Sequence, residues 1–213
     1  MTGCCDDAAP TGQTSARYRR VLGVVIGLNL AMFALEMGAG VQGESLALQA
    51  DALDFLGDGL TYALSLAVLG AGLRVRATAA LIKGVSLAVL ALWILASAIY
   101  RVFFLGEPSA LVMGAVGAAA LAVNVASALL LMRYRDGDAN VRSVWLCSRN
   151  DAIGNLAVLA AAALVAGTAS PWPDLVVAAG LASLFLHAAS RIMAQAQRER
   201  QRAAEGPNAA ATR

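Results

Sequence analysis

Histidine occurs once in this 213-residue chain and cysteine three times. Each scarcity excludes something. A haem-bearing helical bundle needs paired histidines, and a Ser–His protease needs one beside its serine. His187, the only candidate, lies near the end of the last apolar segment and reads as interfacial. Three cysteines, two of them the adjacent Cys4 and Cys5, are too few for a disulfide framework. They fit a reducing compartment or the handling of metal. Charge is scarce as well: 14% of residues are charged and 59% hydrophobic, where soluble domains have about 25% and about 45–50%. The excess apolar surface must face lipid. A net charge of +2 without one long basic patch gives no case for nucleic acid.

What is present is a series of long apolar runs. A bilayer core takes about 20 mostly apolar residues per helix. Six such segments can be drawn, over 19–40, 45–72, 77–104, 108–132, 142–167 and 172–193. The first lacks a cleavage site and is read as an uncleaved span, not a signal peptide. The fold class is therefore all-α, a polytopic membrane protein. Basic residues give the orientation. Arg17, Arg19 and Arg20 precede span one; Arg74 and Arg76 follow span two; Arg133, Arg135 and Arg142 follow span four; Arg191, Arg198, Arg200, Arg202 and Arg213 close the chain. The first and fifth connections have none, and the third has Arg101 at its edge. By the positive-inside rule both termini are cytoplasmic, as an even span count also requires. The expected organisation is a flexible N-terminus over 1–16, a six-helix transport domain over 17–194 and a polar, unstructured tail over 195–213.

Ionisable groups inside a span cost about 2.5–3.5 kcal/mol each on insertion scales, so they need a reason. "LQADALDFLGD" places Asp51, Asp54 and Asp58 in span two, and offsets of three and four put them on one helical stripe. Span five carries Cys147 and Asp151, again four apart. Spans one and four add Asn29, Glu36 and Asn124. Spans two and five run antiparallel, so their two i,i+4 pairs can face each other at similar depth. Asp54, Asp58, Cys147 and Asp151 would then close a tetrahedral cage, the coordination zinc prefers. Singly, each residue has a plainer reading. One aspartate can hydrogen-bond a neighbouring helix, and a lone buried cysteine is usually a small hydrophobe. Lys83 and Arg149 read as snorkelling or ion-paired. Cys4, Cys5 and the acids after them can equally capture metal or be incidental.

Together these residues resemble the cation diffusion facilitator family. "GESLALQADALDFLGD" after "LNLAMFALEMGAG" is similar to its first two spans, "NVRSVWLCSRNDAIGNLAVLAA" to its fifth, and "WPDL" to its last outer loop. The resemblance covers residues 17 to 193. It implies a proton-coupled exporter of divalent metal, usually a homodimer in the cell (inner) membrane, and no prosthetic group. It implies a transport site at Asp54, Asp58, Cys147 and Asp151, with cysteine where the family usually has histidine. Asp51 matches an acid beside that site and is an auxiliary candidate, as are Cys4 and Cys5. The family's cytoplasmic domain after span six has no expected counterpart in this chain.

The ligand types suggest the chemistry. A thiolate with three carboxylates carries four negative charges when fully ionised, and M²⁺ offsets two. Metal binding must therefore displace protons, and their return can reset the site. The thiolate favours Zn²⁺ and Cd²⁺ over Mg²⁺, Ca²⁺ and Mn²⁺, with Co²⁺ and Fe²⁺ open. Three other readings stay open. A proton-coupled exporter of small organic cations should line its cavity with aromatics, which are 6% here. An aspartyl-type membrane protease would use Asp58 and Asp151 and leave Asp54 and Cys147 idle. A non-transporting membrane subunit would use the site structurally.

Overall fold

The computed structural model describes residues 16–67, 73–104, 107–132 and 139–205. These form six helices: α1 (Ala16–Gln42), α2 (Leu46–Ala67), α3 (Leu73–Phe103), α4 (Ala110–Met132), α5 (Ala139–Thr168) and α6 (Trp172–Glu205). No strand occurs among the described residues. Five helices are long and apolar enough to cross a membrane. The exception is α2, where every 18-residue window contains Asp51, Asp54 and Asp58.

The packing explains how so polar a helix is housed. α2 touches each of the other five helices, and no other described helix does so. Its neighbours are protein rather than lipid. Along its first half, Leu46, Ala47, Leu48, Ala50, Ala52 and Leu53 are at most 2% exposed. Consecutive positions point all round a helix, so every face is covered. Leu46, Ala50 and Leu53 pack with Ile94 of α3 and Leu175, Ala178 and Ala182 of α6. Ala47 and Leu48 pack with Met113 of α4 and Val158, Ala161 and Val165 of α5. Alanine at the contacts lets the helices approach closely, which is the main source of association in lipid. The outward faces carry exposed Leu92, Trp93, Leu111, Val176 and Leu184, as a lipid-facing surface should.

α1 and α2 join through a tight corner. A Cβ on Gly40 would stand 2.9 Å from Gln49 Cγ, and one on Gly43 would stand 2.9 Å from Val112 Cγ1. Glu44 takes a left-handed backbone with φ 53°, so the chain turns within three residues. Its carbonyl accepts a hydrogen bond from Arg101 Nη1. The Gly43 carbonyl accepts one from Ser109 N at 2.8 Å. These bonds tie the α1–α2 and α3–α4 corners together at one end of the bundle.

Two boundaries differ from expectation. Arg74 belongs to the first turn of α3, not to a connection. α6 continues to Glu205, through residues 195–205 that composition suggested were unstructured. Ala, Gln, Arg and Glu are strong helix formers, and an existing helix extends through them at little further loss of entropy. Gln195 Nε2 donates to Glu199 Oε1 at 3.1 Å, an i,i+4 contact that supports this extension.

Candidate metal-ion site

Three polar layers can be followed down α2. The first is its N-terminus. Asp174, 1% exposed in the first turn of α6, accepts from Ser45 Oγ at 2.6 Å, Leu46 N at 2.9 Å and Ala47 N at 3.1 Å. Ser45 Oγ also accepts from Leu48 N at 3.1 Å. Three of the four backbone N–H groups that a helix start leaves open are thus satisfied. The carboxylate lies at the positive ends of two helix dipoles, α2 and its own. Gln49 Nε2 adds bonds to the carbonyls of Gly40 at 3.2 Å and Ser45 at 3.3 Å.

The second layer is centred on Asp51. Asn155 Nδ2 donates to Asp51 Oδ2 at 2.5 Å, and Asn155 Oδ1 accepts from Asn124 Nδ2 at 2.9 Å. The chain Asp51–Asn155–Asn124 joins α2, α5 and α4, and all three side chains are buried. On the other side of Asp51 stands Glu36 of α1, fully buried. Its oxygens accept no hydrogen bond among the described residues, while the Asp51 carboxyl lies within hydrogen-bond reach.

The third layer brings together acids from two helices. The carboxyl of Asp151 on α5 lies within hydrogen-bond reach of both Asp54 and Asp58 on α2. Asp58 is buried, and Asp54 and Asp151 are largely so. Tyr62 Oη donates to Asp58 Oδ2. Asp51 pairs with Asn155, and Asp54 and Asp58 pair with Asp151; numbers rise on one helix as they fall on the other, as antiparallel helices require. The stripe Asp51, Asp54, Asp58 is therefore divided in use. Asp51 turns to Asn155 and Glu36, and the lower two aspartates meet Asp151.

Cys147 lies on α5 one turn before Asp151. Its side chain, like Cys4 and Cys5, falls outside the described residues. Among the described residues no three His, Cys, Asp or Glu side chains stand in a metal-holding arrangement. Asp151 is the acid common to both contacts, with Asp54 and with Asp58. Of the two sequence readings of Lys83, snorkelling does not hold, while ion pairing fits the influence of its charge on Asp58. Lys83 is 8% exposed, and its Nζ donates inward to Thr61 Oγ1 on α2. His187 is exposed, in keeping with its interfacial reading.

Sequence reasoning missed Asn155, Tyr62 and Asp174 as members of these layers. Asn155 and Tyr62 each follow an acid by four residues, so helical spacing alone could have found them.

This geometry can be set beside known proteins. The sequence model of the cation efflux transmembrane domain matches residues 22–198. That is most of the chain, which therefore belongs to the cation efflux family, as its resemblance to the cation diffusion facilitators implied. It is an integral membrane transporter of metal cations and not an enzyme. No curated protein matches it.

Proposed function

We propose that the chain exports divalent metal from the cytoplasm across the cell (inner) membrane in exchange for protons. Zn²⁺ and Cd²⁺ are the first substrates, and Co²⁺ and Fe²⁺ the next. The ligands are Asp54, Asp58, Cys147 and Asp151. The observation that carries this reading is the meeting of three carboxyls from α2 and α5 inside the bundle of a cation efflux protein. Continuing the antiparallel pairing by one turn brings the helical position of Cys147 level with Asp58. A thiolate there supplies the soft donor that separates Zn²⁺ and Cd²⁺ from Mg²⁺ and Mn²⁺.

Proton exchange follows from the same donors. Carboxyls crowded together without metal need protons between them, and a divalent ion replaces those protons. Asp51 is a support for the site. Its hydrogen bond from Asn155 fixes α5 against α2 one turn above the acids. Both termini are cytoplasmic by the distribution of arginine, and a homodimer is the working assembly.

The test is flux in proteoliposomes with an imposed pH gradient and a pH dye inside. Zn²⁺, Cd²⁺, Co²⁺, Fe²⁺ and Mn²⁺ are offered to wild type and to Asp58→Ala. Metal-dependent proton movement in wild type, lost in the variant, is the expected result. Movement that survives Asp58→Ala removes the site assignment. No movement with any metal removes proton-coupled export.

A further inference from the structure

Lys83 is the only lysine in the sequence; every other basic side chain apart from His187 is arginine. It sits in α3, inside the stretch long and apolar enough to cross a membrane. A lysine there normally extends its stem toward the headgroups. This one turns inward, is 8% exposed, and donates to Thr61 Oγ1. Thr61 follows Asp58 by three residues, so the two share a side of α2. The charge of Lys83 is felt at Asp58. Beside it, a Cβ on Gly84 would stand 2.9 Å from Met193 Cγ, so α3 and α6 close tightly at this level. The Thr61 hydroxyl also donates to the Gly57 carbonyl at 2.6 Å, which orients its oxygen to accept from the ammonium.

We propose that Lys83 is the resident cation of the unloaded site. Held by Thr61, its ammonium balances the carboxylates of Asp54, Asp58 and Asp151 when no metal is bound, and competes with a divalent ion for them. The inference rests on the proposed metal site. The residue type suits the role: an ammonium is a compact charge on a flexible four-carbon stem, whereas a guanidinium is a rigid fork that holds its partner. Lys83 touches neither metal nor proton in this scheme and acts as a positioning residue. A tethered cation competes with the cargo, so it lowers affinity and speeds release. A unit charge several ångströms away changes the affinity for a divalent ion by about tenfold even at a water-like dielectric, and by more where the dielectric is lower.

The sign of the effect separates this role from a structural one. Full-length wild type, Lys83→Met, Lys83→Gln and Asp58→Ala are titrated with Zn²⁺ and with Cd²⁺ by calorimetry in nanodiscs, and their flux is measured beside it. Both neutral variants are expected to bind each ion about tenfold more tightly, with a lower KM and a lower kcat. Two neutral side chains of different polarity are used so that misfolding of one leaves the other to decide. Loss of a merely structural lysine weakens binding or leaves it alone, and either result overturns the proposal. If wild type binds metal, Asp58→Ala does not, and the Lys83 variants match wild type, only the role of Lys83 fails. If wild type binds no metal, the site reading fails and takes this inference with it.

Discussion

The N-terminus of α2 and its middle meet carboxyl groups in opposite ways. Near Ser45, one carboxylate meets three donors: Ser45 Oγ, Leu46 N and Ala47 N all point at Asp174. At Asp51, in the second turn of the helix, the pattern is still donor to acceptor, with Asn155 donating to it. At Asp54 and Asp58 the pattern inverts, and acid faces acid across to Asp151. Buried polar groups stabilise a fold when each acceptor has a donor, and each such bond is worth about 0.5–1.5 kcal/mol net. The lower cluster falls short of that rule: Tyr62 donates to Asp58 and the charge of Lys83 acts on it, but the acids otherwise face other acids. Within one helix, then, the donor-rich start suits stability, and the crowded acids further along form the proposed transport site.

Four substitutions test that division. The largest effect is expected from Asp58→Asn. Removing one ligand and one charge should lower metal flux by about a hundredfold or more, while the melting temperature in detergent holds or rises as like charges are thinned. A large loss of stability with flux intact would reverse the assignment of the two regions. Next is Asp174→Ala, which strands the Ser45 hydroxyl and two backbone N–H groups. It should cost about 3 kcal/mol, read as a lower melting temperature, with the surviving folded protein still binding metal. Asn155→Ala should cost about 1–3 kcal/mol, because Asp51 and Asn124 both lose a partner. If its stability is unchanged, the Asp51 layer carries no load. The smallest effect is Cys147→Ser. Flux should persist, but the preference for Cd²⁺ and Zn²⁺ over Mn²⁺ should fall several-fold. An identical selectivity profile would take Cys147 out of the ligand set.

Much of this was legible in the residues. The apolar runs marked the helices to within a few positions, apart from the end of α6, since about 20 residues must cross a fixed thickness. Spacing of three and four joined Asp54 and Asp58 into one stripe, and antiparallel order turned Asp151 toward them. The clamp at Asp174 was not legible in the same way. "WPDL" marks a helix start, but its partner Ser45 is 129 residues away, and no local pattern encodes that distance. The direction of Lys83 was equally hidden, because a flexible stem can reach outward or inward and only packing decides. The length of α6 was misjudged for a different reason. Polar composition was read as disorder, although Gln, Arg, Glu and Ala propagate a helix that an apolar segment has already nucleated.

The clamp at Ser45 also has a mechanical meaning. It works as a pivot, because the bonds to Asp174 hold one end of α2 while the far end lies among groups that repel. Asp58 sits thirteen residues from Ser45, about 20 Å along the axis at 1.5 Å per residue. Leverage over that arm is large: a tilt of about 10° at the pivot carries Asp58 sideways by about 3 Å. That is more than a metal–oxygen bond length, which is about 2.0–2.2 Å for zinc. A tilt that small, about an end held by Asp174, is thus enough to make or break a metal–oxygen bond at Asp58.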